Sequence, residues 1–134
     1  MMACLNGLFI DIPASYHWKT GSYRFDFEID DKKVTCKGKL PLKSCNEPSI
    51  VCNGKSKFPE ILIMESGCAL PPNAQGFGQI QISEFPQKIK LTIFHNEKKI
   101  GKIKSTPDYL VTKNPNGKNC GDPCKQATIK LKLD

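Results

Sequence analysis

Apolar and polar residues alternate at every second position in several short stretches of the chain. The clearest stretch is residues 23–29, where Tyr, Phe, Phe and Ile alternate with Arg, Asp and Glu. A period of two places one set of side chains against a core and leaves the other in water, as in a half-buried strand. The same period recurs in residues 79–82, 89–94 and 127–133. These stretches are therefore predicted to be β-strands.

Other local patterns add detail to this prediction. Residues 61–64 form a continuous apolar run, which is typical of a strand covered on both faces. Asp30 and Asp31 are expected to form the turn of a hairpin whose second strand spans residues 33–40. The alternation breaks around Gly101, which predicts a bulge or an edge strand there.

The composition favours many short strands in one domain. The 134 residues include ten Gly and ten Pro, which suit frequent turns, and the length suits a single core. We therefore predict an all-β protein, a disulfide-stabilised antiparallel β-sandwich of transthyretin-like or immunoglobulin-like architecture with seven to nine strands. One core is expected to contain side chains from several strands: Phe25, Phe27, Ile61, Ile63, Leu91, Ile93, Ile129 and Leu131.

The domain is predicted to span residues 23–134. Residues 1–22 are interpreted as an N-terminal arm or the remnant of a signal segment, because Leu8, Phe9 and Ile10 are apolar but Asp11 interrupts them. A signal peptide also carries a basic residue before its apolar stretch, and none is present here. No run of about 20 apolar residues exists, so no membrane span is expected.

Seven Cys residues indicate disulfides. An even set in a small, loop-rich β protein is typical of an oxidising compartment and hence of secretion. Cys4 lies outside the predicted domain, and the other six are expected to form three disulfides whose pairing stays open: Cys36, Cys45, Cys52, Cys68, Cys120 and Cys124. Zinc is the alternative, but the closest pair, Cys120 and Cys124, has three intervening residues and no matching second pair, so no metal site is predicted.

The net charge of +7 raises the question of anionic partners. Nucleic-acid-binding proteins favour Arg and exposed aromatic residues, whereas this chain has a single Arg, Arg24, and many dispersed Lys. We therefore expect no nucleic acid partner. The densest basic group, near the predicted edge strand, is the candidate site for an anion or a partner: Lys98, Lys99, Lys102 and Lys104. The loop at residues 68–75 is grouped with it, and the alternative is that these Lys guard the edge against aggregation.

No catalytic or cofactor motif is found. His95 has no evident nucleophile partner, and adjacent carboxylates such as Asp30 and Asp31 point to opposite faces of a strand. Gly-rich phosphate loops, nucleophile elbows and calcium loops are also missing from the sequence. The protein is therefore predicted not to be an enzyme and to need no cofactor.

Several short motifs carry a resemblance to a known family. Cys52-Asn53-Gly54-Lys55 precedes the apolar run at residues 61–65, and Gly76-Phe77-Gly78 opens the next strand. Further along, Pro86 precedes a strand that ends in Phe94-His95, and Cys124 with basic residues precedes the last strand. Over residues 50–133 the chain resembles the nematode transthyretin-like family of secreted β-sandwich proteins. The family usually has a Cys two residues after the His, where this chain has Glu97, and residues 23–40 add a strand pair.

This resemblance implies a secreted, non-enzymatic extracellular binding protein whose partner is an anionic lipid or an extracellular protein, with the ligand held by an edge strand and loops. The alternative is a secreted effector or inhibitor that blocks a host protein. The hydrolases of the wider transthyretin fold use His, Arg and a C-terminal Tyr-Arg-Gly-Ser. Arg24 is the single Arg of this chain and its last residues are Leu133 and Asp134, so hydrolase activity is not expected.

Overall fold

Two five-stranded sheets make up the protein. The computed structural model describes residues 6–13, 16–42, 45, 50–53, 61–71, 74–112 and 124–133. These contain ten strands: β1 (Gly7–Asp11), β2 (Gly21–Ile29), β3 (Lys32–Leu40), β4 (Val51–Cys52), β5 (Ile61–Ser66), β6 (Gly76–Ile82), β7 (Ile89–His95), β8 (Lys98–Ser105), β9 (Leu110–Thr112) and β10 (Cys124–Lys130). Sheet A has the order β5-β6-β1-β10-β9, and sheet B the order β4-β3-β2-β7-β8. The predicted all-β, disulfide-stabilised sandwich is confirmed, with one strand more than the predicted upper number.

Strand β2 is the centre of sheet B. It pairs antiparallel with β3 on one side and with β7 on the other over almost its full length. The predicted hairpin between β2 and β3 is confirmed, and Asp30 in its turn has a positive φ of 53°. The carboxylate of Asp30 also accepts hydrogen bonds from the backbone amides of Gln87 and Lys88, at 2.9 and 3.0 Å. This side chain therefore holds the turn against the start of β7.

Strand β1 lies inside sheet A, which differs from the predicted start of the domain at residue 23. It pairs in parallel with β10 and antiparallel with β6, and its register places Ile10 between Ile80 and Ile129. Leu8 and Ile10 are fully buried. Part of the segment interpreted as an arm therefore supplies a central strand, because its apolar residues alternate with Phe9 and Asp11 in the same period of two as the other strands.

The core lies between the two sheets and confirms the predicted set of side chains. Six of the eight are buried, and Ile61 and Ile129 are partly buried and pack against the same cluster. The period of two explains this result, because alternate side chains of β2, β7 and β10 point inward. The hydrophobic effect at these positions is the main source of stability.

The prediction that residues 61–64 are covered on both faces is wrong. Strand β5 is an edge strand of sheet A that pairs with β6 alone. Leu62 is 53% exposed and Met64 is 44% exposed, while Ile63 between them is buried. The sandwich has two layers, so among the described residues nothing covers the outer face of sheet A at these two side chains.

The prediction of a bulge and an edge strand around Gly101 is confirmed on both counts. Strand β8 is the edge of sheet B, and its register with β7 shifts between Ile93 and Phe94. Gly101 faces Leu133, and a Cβ at this position would lie 2.4 Å from the Leu133 Cδ2 atom. A larger residue here would therefore force the Leu133 side chain to move where the chain after β10 crosses β8.

Two disulfides are present in the described part of the chain. Cys36 and Cys52 lie directly opposite each other on β3 and β4 and form one of them. Cys45 and Cys68 form the other, which ties the segment after β3 to the loop after β5 and so joins the two sheets. The two remaining Cys of the predicted set are Cys120 and Cys124. Cys120, the side chain of Cys124 and Cys4 lie outside the described residues.

Replacing Ile10 with Ala tests whether β1 belongs to the folded core. We expect Ile10→Ala to lower the free energy of unfolding by about 2–5 kcal/mol, as Ile93→Ala should, because each leaves a cavity at a fully buried site. Thr128→Ala, at an exposed position of β10, serves as the control and should cost less than about 1 kcal/mol. Denaturant unfolding gives the three values. An Ile10→Ala protein as stable as the control would contradict the placement of β1.

Peptide mapping without reductant tests the disulfide pairing. A digest that cleaves before Ile50 separates Cys45 from Cys52, so each should be recovered on its own linked peptide. We expect Cys52 to be linked to Cys36 and Cys45 to Cys68. A peptide that joins Cys36 to Cys45 or Cys68 would contradict the β3–β4 pairing.

Candidate functional site

The segment between β1 and β2 crosses one end of the sandwich and is fixed there by aromatic contacts. The Trp18 ring makes edge-to-face contacts with Tyr16, Tyr23 and Phe77, at centroid distances of 4.9, 5.3 and 5.0 Å. Such contacts add to the free energy gained by burying the rings. Because Tyr23 belongs to sheet B and Phe77 to sheet A, Trp18 connects the two sheets and closes this end of the core.

Gly76 makes room for the Trp18 ring. A Cβ at this position would lie 2.2 Å from the Trp18 Cδ1 atom, which no side chain can tolerate. The absence of a side chain at the first residue of β6 therefore lets the indole lie directly on the strand. This contact sets the path of the residues on either side of Trp18, His17 and Lys19, along the rim of the sandwich.

Tyr23 joins this segment to the end of β7. Its hydroxyl donates a hydrogen bond to the Lys19 carbonyl, and its ring stacks on His95 at 4.6 Å. The Nε2–H of His95 in turn donates to the Thr20 carbonyl at 2.8 Å. Burial, with a smaller contribution from nearby Tyr16 and an opposing one from the hydrogen bond to Lys19, raises the pKa of Tyr23 to about 12. The phenol therefore stays a neutral donor at physiological pH.

A groove of about 950 Å³ opens beside this segment. Six of its lining side chains are Lys or His, and the rest are apolar or aromatic: Lys19, Lys98, Lys99, Lys132, His17, His95, Pro13, Tyr16, Ile100 and Leu133. Among the described residues no carboxylate lines it. We call it the cationic groove. Its wall comes from the crossing segment, from β8 and from the chain that follows β10.

The turn between β7 and β8 fixes the two Lys residues of β8 in this groove. Asn96 and Glu97 both have positive φ, at 48° and 68°, as in the tight turn of a β-hairpin. The Asn96 side chain accepts a hydrogen bond from the Ser22 amide at 2.9 Å, so the turn is held against β2. The carboxylate of Glu97 pairs with Arg24 on the outer face of sheet B. Glu97, the acidic residue nearest to Lys98 in sequence, is therefore paired with Arg24.

A second groove, of about 1040 Å³, lies on the other side of the crossing segment. It is mixed in character, with Trp18, Phe77 and Met64 beside Asp11 and Gln79. Gln79 donates a hydrogen bond to the Asp11 carboxylate at 2.7 Å, which satisfies one of the carboxylate oxygens. The two grooves share Pro13, Tyr16 and His17.

The loop at residues 68–75 borders this mixed groove. The side chain of Gln75 is buried there, accepts from the Leu42 amide at 2.6 Å and donates to the Leu70 carbonyl at 2.9 Å. These bonds satisfy the buried amide and tie the loop to the end of β3. Gln75 is therefore a structural residue in this loop.

The structure divides the predicted basic group between two places. Lys98 and Lys99 line the cationic groove, whereas Lys102 points from the outer face of sheet B. Lys104 lies near the far end of β8, beside a depression lined by Glu28, Asp30 and Asp31 as well. The loop at residues 68–75 belongs to the mixed groove and to the opposite edge of the sandwich. The predicted site is thus two features rather than one.

The cationic groove also contains residues that sequence reasoning missed. Lys19 and His17 come from the segment interpreted as an arm, and Lys132 follows the last strand. No local pattern marks them, because three distant parts of the chain supply them. His95, considered as a lone His, lies in this groove beside Lys98.

Neither a metal-binding cluster nor a membrane-spanning helix is found among the described residues, and comparisons with known proteins do not identify the site. In the part of the chain that the structure describes, no cluster of three or more His, Cys, Asp or Glu is placed to hold a metal ion. The same residues include no helix of the length and hydropathy that a membrane span requires. Comparisons with protein-family models, with curated proteins and with solved structures found no match. The groove must therefore be interpreted from its own chemistry.

Titration of the Tyr residues tests the packing that holds the groove. Burial and, to a smaller extent, the charge of Asp30 raise the pKa of Tyr109 to about 12 as well. The folded protein thus holds the hydroxyl protons of Tyr23 and Tyr109 more tightly than the unfolded chain does, because unfolded phenols titrate near 10. The resulting stabilisation should be complete below pH 10 and lost as the pH rises through about 12.

Phenolate absorbance of the folded protein measures this directly. Two of the three Tyr should titrate near pH 12, and Tyr23→Phe should remove one of them. Tyr109→Phe is the matched variant at the other end of the sandwich. Titration of Tyr23 near pH 10 in the folded protein would contradict its buried position.

Proposed function

We propose that this protein is a secreted, non-enzymatic binding protein that holds an anionic lipid headgroup in the cationic groove. The observation that carries the proposal is the convergence of four Lys and two His on one opening, with no carboxylate among its described lining residues. Like charges brought together on folding repel one another, so their grouping costs stability unless an anion is bound. A phosphate group offers the charge and the acceptor oxygens that several ammonium groups bind best.

The shape of the groove supports a headgroup rather than a small free ion. Its volume of about 950 Å³ exceeds what one phosphate fills, and Ile100, Leu133 and Tyr16 add apolar surface next to the cations. A glycerol or acyl portion would contact that surface while the phosphate contacts the Lys side chains. The combination of apolar and cationic lining is the usual composition of a site for an amphiphilic ligand.

The proposed location outside the cell is supported by the disulfides. Cys36–Cys52 and Cys45–Cys68 persist in oxidising compartments and are rare where thiols are kept reduced. The resemblance to the nematode transthyretin-like family supports the same location and a non-enzymatic role. The extracellular location and the non-enzymatic role are both parts of the proposal.

One observation favours the alternative, an effector or inhibitor that binds a host protein. Four of the exposed large apolar side chains lie on β4, on β5 and in the loop after β5: Val51 (72% exposed), Leu62 (53%), Met64 (44%) and Leu70 (54%). β4 and β5 are both edge strands, and edge strands can accept a strand from a partner. Under this alternative the interface would be at this edge and the cationic groove would be dispensable.

Neutralising the groove tests the leading proposal. In the triple variant Lys19→Gln, Lys98→Gln and Lys132→Gln, affinity for vesicles of phosphatidylcholine mixed with phosphatidylserine should fall about a hundredfold. The estimate takes about 1 kcal/mol for each Lys near an anionic surface. Co-sedimentation with the vesicles gives the affinity, and vesicles of phosphatidylcholine alone give the background.

The matched control removes the same charge elsewhere. Lys33→Gln, Lys37→Gln and Lys39→Gln lie on exposed positions of β3, away from the groove, and should reduce binding less than tenfold. Equal losses in the two triple variants would mean that binding follows net charge alone and would refute the groove. Unfolding curves of both variants establish that the fold is intact.

A further inference from the structure

The outer face of sheet B carries most of the net positive charge of the protein. Side chains directly opposite each other on paired strands share a face, so the register assigns eight cations to it: Arg24, Lys33, Lys37, Lys39, Lys90, Lys99, Lys102 and Lys104. Asp26 and Glu28 share that face, and Glu97 reaches it from the β7–β8 turn. Eight cations against three carboxylates leave a net +5 of the +7 of the whole chain.

The outer face of sheet A is different. Its charged residues on the central strands are Asp11 and Lys130, which lie directly opposite each other on β1 and β10. Their neighbours on β6 are the uncharged Gln79 and Gln81. The protein therefore has one cationic sheet face and one nearly neutral face, although both sheets come from the same short chain.

Half of the outer-face cations of sheet B lie in a strip along its β7–β8 edge. The carboxylates of Asp26 and Glu28 lie on β2, and Arg24 is paired with both Asp26 and Glu97. Beyond β2 the outward positions of β7 and β8 carry no carboxylate: Lys90, Thr92, Phe94, Lys99, Lys102 and Lys104. We call the four Lys of this set the β7–β8 strip. In the described part of the chain none of the four forms an ion pair.

The strip is costly to the isolated protein. Lys90 and Lys104 lie directly opposite each other on β7 and β8, where like charges destabilise a sheet. Glu28 lies opposite Lys90 on the other side without an ion pair, and Glu28, Asp30 and Asp31 line one depression with Lys90 and Lys104, so they offset part of this repulsion. A polyanion that also contacts Lys99 and Lys102 would relieve the repulsion along the rest of the strip. The arrangement is thus one that a polyanion stabilises.

We propose that the β7–β8 strip binds a linear sulfated polysaccharide. The strip is two strands wide, or roughly 5 Å between the facing Lys, and about 17 Å long from Lys99 to Lys104 at the rise of a β-strand. That shape suits one extended chain with sulfates at regular intervals better than a flat bilayer. Faces that bind a bilayer also insert apolar side chains. Phe94, the large apolar residue beside the strip, is instead covered by the Arg24 guanidinium, 4.1 Å from the centre of its ring.

This inference is separate from the headgroup proposal, because it concerns another surface and another ligand. Lys99 borders both features, so the test leaves it unchanged. The strip variant is Lys90→Gln, Lys102→Gln and Lys104→Gln. The β3 variant already described is its matched control, since it removes the same charge from the same sheet face on the other side of β2.

The probes are heparin oligosaccharides and the same oligosaccharides after desulfation. We expect the strip variant to bind the sulfated form at least tenfold more weakly than the unchanged protein, and to lose about three from the slope of log affinity against log salt concentration. The β3 variant and the groove variant should each lose less than threefold. Desulfated oligosaccharides should bind none of the proteins measurably.

Three results would overturn the inference. Equal losses in the strip and β3 variants would assign binding to the charge of the whole face. A strip variant that loses binding to phosphatidylserine vesicles but keeps heparin affinity would assign the strip to a bilayer. Unchanged heparin affinity with new self-association would leave these Lys residues the role of guarding the edge strand. The vesicle result for the groove variant is independent of all three.

Discussion

The contact between Trp18 and Gly76 determines how the two sheets and both grooves are arranged. The indole occupies the space that a Cβ at residue 76 would fill, and it contacts Phe77 of one sheet and Tyr23 of the other. The chain entering β2 is therefore held across the end of the core, with a groove on each side of it. Together with the hydrogen bonds that the Lys19 and Thr20 carbonyls accept from Tyr23 and His95, this contact fixes Lys19 relative to the cations of β8.

The alternation of side chains along each strand places most of the Lys residues of sheet B on its outer face, away from the core. The outward Lys residues of β3 and β7 do not form a cluster in the sequence because inward residues intervene, whereas those of β8 belong to its densest basic group. Folding brings those positions side by side on adjacent strands, roughly 5 Å apart. Two sites of different shape result, a groove at one end of the sandwich and a strip along its edge, and they meet at Lys99.

Much of the fold was predictable because local alternation determines it. The β2–β3 hairpin, the bulge near Gly101 and the shared core follow from patterns within a few residues of each other. Strand β1 was missed because it is five residues long and pairs with β10, whose residues lie 119 positions further along the sequence. The groove was missed for the same reason, since Lys19, Lys98 and Lys132 come from three separate segments that only tertiary structure brings together.

The parallel pairing of β1 with β10 has a consequence for biosynthesis. Sheet B is built from strands that end at Ser105, so its hydrogen bonds can form while the rest of the chain is still within the ribosome. Sheet A needs Gly7 to meet Gln126, and β1 must wait beside β6 with one edge unpaired until that residue emerges. Contacts of such long sequence separation form slowly, and an unpaired apolar strand is prone to aggregate in the meantime. The late steps of folding in this protein are therefore where a chaperone or an oxidising enzyme would act with most effect.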